Sequence, residues 1–310
     1  MDSQWAIERL FACFYNCEIQ RGVNMSSHLE YGHDRVALIT GTSSGFGLLT
    51  ALNLAGQGFK VIATMRDLNR KAELVQQAEQ AGILKQLHLM TMDVTDSDSI
   101  EIAISSVHET FGRIDVLVNN AGFAIGGFIE EISMEEWRRQ METNFFGLVA
   151  VTTAVLPIMR EQQSGTIINV GSVSGLSGFP GYAPYAASKF AVEGFSESLR
   201  HEMSPYGIRV VLIEPGSFRT PIWGKGMEQI RRKEDSPYKE RLDAVLRYSK
   251  HTAETAPDPS QVANLIGRIT EMKAPRLRYP IGKGTRILIL GKTLLPWKWL
   301  ERIIAKELRG

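Results

Sequence analysis

The chain has 310 residues, of which 44% are hydrophobic and 22% charged, with a formal net charge of +1, so it has the apolar material for a substantial core and is not a disordered chain. A charge so close to neutral supplies no global field for nucleic acid, and no nucleic-acid partner is expected. Only Cys13 and Cys17 are present, without further Cys or His at ligand spacing, which argues against a zinc site and fits a reducing, cytoplasmic setting; no uninterrupted apolar run reaches the roughly 18 to 20 residues of a spanning helix.

Residues 1–34 form an N-terminal extension, aromatic and apolar at its start (Trp5, Phe11, Phe14, Tyr15) and polar later. No strand pattern in it would extend a sheet. Three readings stay open: a leader ahead of a true start at Met25, an accessory helix packed on the body, or a peripheral membrane anchor. It lacks the small-residue cleavage site of a secretory signal.

From Arg35 onward, short β-branched runs alternate with longer helical patterns, as repeated βαβ units require. The expected strands are Val36 to Thr40, Lys60 to Thr64, Leu87 to Met92, Asp115 to Val118, Thr166 to Val170 and Arg209 to Ile213. Each is an apolar run of the kind buried on both faces of a parallel sheet. Helices are expected over Phe46 to Gln57, Asp96 to Phe111, Met134 to Met159 and Ala186 to Ser204. The fold class is therefore α/β, a Rossmann-like doubly wound parallel sheet over residues 35–280, with a helical tail over 281–310. Gly224 to Pro257 is rich in charge. The tail, with Ile287 to Leu290, Leu294 to Leu300 and a basic end, reads as a substrate lid, a membrane-surface helix or a helix packed on the sheet.

The turn after the first strand reads Thr40-Gly41-Thr42-Ser43-Ser44-Gly45-Phe46-Gly47. Glycines there let the backbone reverse tightly and approach a pyrophosphate, whose charge the following helix N-terminus attracts. The spacing differs from Gly-x-Gly-x-x-Gly, and its position between a strand and a helix carries the argument. After the second strand comes Arg66, where an NAD enzyme usually places a carboxylate; its guanidinium suits a 2′-phosphate, so NADP(H) is expected over NAD(H). Asp67 follows at once, as a ribose ligand or a helix cap.

Tyr185 and Lys189 stand four apart, on one face of a helix. A free phenol titrates near 10 and needs positive charge nearby to act as a base at neutral pH, which Lys189 is placed to supply.

Taken with the other motifs, the sequence resembles the short-chain dehydrogenase/reductase family from about Arg35 to Thr220. The resemblance rests on Thr40-Gly41-x3-Gly45-x-Gly47, Asp93, Asn119-Asn120-Ala121-Gly122, Asn144, Ser172, Tyr185-x3-Lys189, and Pro215-Gly216 with Thr220. It implies an oxidoreductase that passes a hydride between a nicotinamide cofactor and an alcohol or carbonyl carbon, without a metal. Ser172 would polarise the substrate oxygen, Tyr185 would transfer the proton, Lys189 would lower the tyrosine pKa and bind the nicotinamide ribose, and Asn144 would hold a relay water. Asp93 and Val94 would meet the adenine, Asn119 would brace the central strand, and Thr220 would fix the carboxamide. The cofactor contacts implied are Gly41 to Gly47, Arg66, Asp93, Val94, Asn120, Ala121, Gly122, Tyr185, Lys189, Pro215, Gly216, Phe218 and Thr220, with Phe218 standing where many relatives carry an aliphatic residue.

Gly175 to Pro184 and Pro221 to Met227 would line the substrate pocket, where Phe179, Tyr182, Phe218, Ile222 and Trp223 offer an apolar, aromatic surface for a lipophilic alcohol or ketone. The sequence is also similar to the 17β-hydroxysteroid and retinol dehydrogenase branch. The resemblance further implies a homodimer or homotetramer paired through Met134 to Met159 and Tyr185 to Ser204. Two alternatives to a soluble enzyme are a non-catalytic NADP-binding regulator and a peripheral membrane-associated protein.

Overall fold

The structure, a computed structural model, describes residues 35–222, 230 and 235–307. The three readings of residues 1–34 and the pocket expectation for Trp223 to Met227 fall on residues outside this range.

Seven parallel strands form one sheet in the order β3-β2-β1-β4-β5-β6-β7. They are β1 (Val36–Ile39), β2 (Lys60–Met65), β3 (Leu87–Thr91), β4 (Val116–Asn119), β5 (Gly165–Val170), β6 (Ile208–Pro215) and β7 (Arg278–Ile281). Six were expected, each within a residue or two of its observed limits. The seventh, Arg-Tyr-Pro-Ile, pairs with β6 at the sheet edge, where Pro280 removes no ladder bond from an interior neighbour.

The helices are α1 (Gly45–Gly56), α2 (Ala72–Gln80), α3 (Ser97–Phe111), α4 (Met134–Met141), α5 (Gly147–Glu161), α6 (Ala183–Met203), α7 (Lys239–Thr255), α8 (Ser260–Thr270), α9 (Thr285–Leu294) and α10 (Trp297–Glu307). Side chains alternate along each strand, so β1 feeds both faces of the sheet: Ala37 and Ile39 join the core under α1 and α8, while Val36 and Leu38 join the core under α3 and α5. Burial of the strands on both faces explains their near-continuous apolar character.

Between α4 and α5 the turn Glu142–Phe146 is π-helical, so one helix runs from Met134 to Glu161. It is long and apolar enough by length and composition to cross a membrane. Here Val151, Val155, Ile158 and Met159 bury its inner face in the core beneath the sheet. The chain reverses direction across the sheet between β1 and β4. In an open α/β sheet the crevice at the carboxyl ends of such strands is where ligands bind.

Candidate active site

The glycine turn between β1 and α1 is held by the loop after β4. Thr40 Oγ1 accepts the N–H groups of Asn120 and Ala121, both at 2.9 Å, and Asn120 Nδ2 donates to the carbonyls of Thr40 and Gly41 at 2.9 and 3.0 Å. Gly41 has φ +72°, and a Cβ there would lie 2.8 Å from Ala121 Cα. At Gly47 a Cβ would come within 2.3 Å of the Gly41 carbonyl oxygen. Gly41 is therefore demanded by turn geometry and by packing, and Gly47, inside α1, by packing alone.

Thr42 turns inward, donating through Oγ1 to the Thr64 carbonyl at 3.1 Å, and leaves Ser43 and Ser44 partly exposed. Ser44 precedes α1 without a side-chain cap, and the first turn of α1 carries no acid. Uncapped N–H donors at a helix start, with no carboxylate to repel a phosphate, fit a pyrophosphate-bearing dinucleotide. Thr220 and Pro221 come over this turn, 3.8 Å from where a Gly45 Cβ would stand.

Arg66 is exposed just past β2. Asp67 beside it accepts the N–H of Asn69 at 3.0 Å and caps the short turn Leu68–Arg70, so the capping alternative is the observed one. Asp93 Oδ1 is used by the N–H and hydroxyl of Thr95, at 3.0 and 2.8 Å, while Val94 is buried against Gly147. Asn119 braces β4, donating through Nδ2 to Asn169 and Thr152, both at 2.9 Å. Pro215 ends β6, and Gly216 donates its N–H to the Ile281 carbonyl at 2.8 Å, joining the ends of β6 and β7.

Phe218 is only 1% exposed and packs edge-on to Phe46 with ring centres 5.7 Å apart. Its ring joins the core that lies under α1 and α8, where burial of a large aromatic group is favourable.

Ser172 lies two residues past β5, and Tyr185 and Lys189 lie in the first two turns of α6, which begins with Pro184 in its opening positions. The Ser172 and Tyr185 side chains lie near enough for the serine to act on the phenol, and Ser172 Oγ accepts the N–H of Ser174 at 3.1 Å. Lys189 Nζ donates to the Val170 carbonyl at 2.7 Å and stands 5.8 Å from the centre of the Tyr185 ring. Asn144, in the π-helical turn, accepts the N–H of Phe123 at 3.0 Å and donates to the Phe123 carbonyl and to Ser188 Oγ at 2.9 and 3.1 Å. Both amide hydrogens are thus taken by protein, and a relay water at this residue has to bond an Asn144 oxygen. The irregular turn places a polar side chain at the site that a regular helix would rotate away.

Burial pushes the Tyr185 phenol above its ordinary value, and the Ser172 hydroxyl brings it part of the way back. Burial likewise lowers Lys189 to about 8, against an opposing pull from Glu193. Desolvation is the larger cause of both shifts because both side chains are buried away from water.

Two sets of residues escaped the sequence reading. Helix α7 roofs the loop after Ser172: Tyr248 stacks on Phe179 at 5.1 Å, and Ser249 bonds Tyr182 at 2.9 Å. Behind α6, Arg278 of β7 pairs with Glu193, with Glu214 at 2.5 Å and with Glu197 at 2.6 Å. Glu193 and Glu214 are buried. Burial raises Glu193 to about 7 and the Glu214 charge adds to the rise, while the Arg278 bond opposes them.

Residues 35–231 match the family described as short chain dehydrogenase. The uncharacterized oxidoreductase YusZ of Bacillus subtilis is 44% identical over 277 residues, 88% of this chain and 98% of that protein. A 3-ketodihydrosphingosine reductase of Bacteroides thetaiotaomicron is 36% identical over 84% of this chain and 93% of its own length. Among solved structures, a short-chain dehydrogenase from Streptomyces avermitilis superposes with a TM-score of 0.73 at 34% identity, covering 87% of this chain and 97% of that one. A Burkholderia phymatum enzyme in complex with NAD (TM-score 0.73, 28% identity, 87% and 95% covered) and an actinorhodin polyketide ketoreductase with NADPH (0.70, 31%, 81% and 97%) share the fold. The chain belongs to the short-chain dehydrogenase family of oxidoreductases, whose structural neighbours bind NAD or NADP.

Proposed function

We propose that the protein is an NADP(H)-preferring oxidoreductase that interconverts a lipophilic primary or secondary alcohol with its aldehyde or ketone, with Tyr185 carrying the proton. The observation that carries this reading is the meeting of Ser172, just past β5, with the Tyr185 side chain, while Lys189 on the next turn of the tyrosine's helix is tied to the end of β5 through the Val170 carbonyl.

When bound, the nicotinamide supplies or accepts the hydride at the substrate carbon. Ser172 donates a hydrogen bond to the substrate oxygen and stabilises the charge that grows there. Tyr185 gives its proton to that oxygen in reduction and recovers it in oxidation. Lys189 binds the nicotinamide ribose and keeps positive charge beside the phenol. Asn144 holds Ser188 and the Phe123 loop in register with α6, and its oxygen anchors the relay water.

The NADP preference is supported by exposed Arg66 next to Asp67, whose carboxylate is committed to capping the turn. The lipophilic substrate is supported by Phe179, Tyr248 and Tyr182 around the loop after Ser172 and by the 3-ketodihydrosphingosine in the name of the Bacteroides relative. Pairing of subunits through α5 and α6 is supported by Phe146, exposed where α5 begins.

The reading is tested by following consumption of NADPH and NADH with a panel of lipophilic ketones and aldehydes. NADPH-dependent turnover is expected. Equal turnover with NADH overturns the role of Arg66, and no turnover of any carbonyl overturns the activity.

A further inference from the structure

We propose that α9 and α10 form a docking surface for an anionic lipid bilayer. A helix at a protein surface ordinarily turns its apolar stripe inward. In α9 the stripe faces outward: Ile287, Leu290 and Leu294, at i, i+3 and i+7, are 77, 59 and 68% exposed. Trp297, Trp299 and Ile303 of α10 are exposed as well. Large apolar side chains gathered on two consecutive short helices make a patch that water does not favour, and short helices gain little stability without burial of a face.

Charge selects the partner. From Lys283 to Glu307 the chain carries six basic residues (Lys283, Arg286, Lys292, Lys298, Arg302, Lys306) against two acidic ones (Glu301, Glu307), although the whole protein has a net charge of only +1. Lys298, Arg302 and Lys306 recur every four residues and line one side of α10. A basic stripe beside exposed tryptophans and aliphatics matches a bilayer boundary: the rings sit among the headgroups, the aliphatic groups reach the acyl chains, and the long basic side chains extend to anionic lipid.

The surface is anchored near the candidate site. Lys292 bonds the Leu176 carbonyl and stands 5.0 Å over the Phe190 ring, so α9 is fixed to the segment that follows Ser172. Docking would bring that segment to the bilayer from which a lipophilic substrate comes. This last consequence rests on the proposed activity, whereas lipid binding does not.

The test is co-sedimentation of the full chain with vesicles of equimolar phosphatidylcholine and phosphatidylglycerol, and with vesicles of phosphatidylcholine alone. Preferential binding to the anionic vesicles is expected, with weakening as salt is raised. The combined Lys298→Gln, Arg302→Gln and Lys306→Gln substitutions should weaken it on the order of a hundredfold, since each basic residue near such a surface contributes about fivefold. Trp297→Ala with Trp299→Ala should weaken binding to both vesicle types. None of the five positions is among the proposed catalytic or cofactor-binding residues, so turnover of a water-soluble carbonyl should persist in both variants; that assay reports folding and separates failure of the lipid proposal from failure of the activity. Equal binding to both vesicle types, or unchanged binding by the basic-stripe variant, overturns the proposal. So does a tryptophan variant that changes from dimer to monomer in sedimentation velocity while keeping its vesicle affinity, since the surface then belongs to a second copy. Loss of binding on deleting residues 1–24, with the tail variants unaffected, overturns it too.

Discussion

The Lys189 ammonium is bonded to the Val170 carbonyl at 2.7 Å, which ties the helix carrying Tyr185 to the strand end carrying Ser172. The bond fixes the spacing of two side chains that come from separate elements, and it holds the lysine in a buried place where its charge is costly. Lys189 therefore titrates at about 8, while Tyr185 is held above its ordinary value by burial.

A pH dependence follows from that pair. In the proposed mechanism, carbonyl reduction needs Tyr185 protonated and Lys189 charged. With the phenol raised and the lysine lowered, the lysine loses its proton first as pH rises. The kcat/KM for reduction should fall above about pH 8, and since kcat/KM reports groups of the free enzyme, the fall belongs to Lys189. A profile flat well into the alkaline range contradicts this assignment.

Ser172→Ala removes the hydroxyl proposed to donate to the substrate oxygen and the group that opposes the burial-driven rise of the Tyr185 phenol. Loss of one such donor typically lowers kcat by about a hundredfold to a thousandfold. Cofactor affinity, measured by fluorescence titration with NADPH, should change little. A large loss of NADPH affinity with kcat intact assigns Ser172 to cofactor binding instead.

Arg66→Ala should narrow the preference for NADPH over NADH. A hydrogen bond to a charged group is worth about 1.5 to 3 kcal/mol, so the ratio of kcat/KM values should drop by about ten- to a hundredfold, chiefly through KM for NADPH. An unchanged ratio places the 2′-phosphate elsewhere.

Arg278→Gln strips the buried carboxylates Glu193 and Glu214 of their counter-ion. Breaking a buried pair costs about 3 to 5 kcal/mol; because Arg278 is itself 31% exposed, solvent screening reduces this to about 2 kcal/mol. Denaturant unfolding should show the loss at pH 8 and a smaller one near pH 5. Glu193, raised to about 7, keeps its proton in the native state at the lower pH, where a neutral carboxyl tolerates burial better. Adding Glu193→Gln should restore part of the stability. Equal losses at both pH values contradict the account of this cluster.

What was legible in the sequence follows physical lines. The glycine turn and the Ser172, Tyr185 and Lys189 set could be read because their chemistry demands particular side chains at particular separations. The first six strands were visible as apolar runs because both faces of the sheet are covered. Strand β7 was not, since Arg-Tyr-Pro-Ile carries no such run and its pairing depends on β6, more than sixty residues earlier. The same distance hid Arg278 from Glu193 and Glu214. Helix α7 is different: Leu242, Val245, Leu246 and Ser249 form a buried stripe at i, i+3, i+4 and i+7, a signal present in the sequence but masked by the charged residues around it. The edge-on packing of Phe218 against Phe46 could not be read, because the two residues lie far apart in the chain.

The central claim is that Tyr185 carries the proton, and Tyr185→Phe tests it most directly. The substitution keeps the ring beside Lys189 and removes only the hydroxyl. Single-turnover reduction under saturating NADPH should slow by about a hundredfold to ten-thousandfold, with NADPH affinity within a few-fold of wild type. Undiminished single-turnover reduction by Tyr185→Phe contradicts the account.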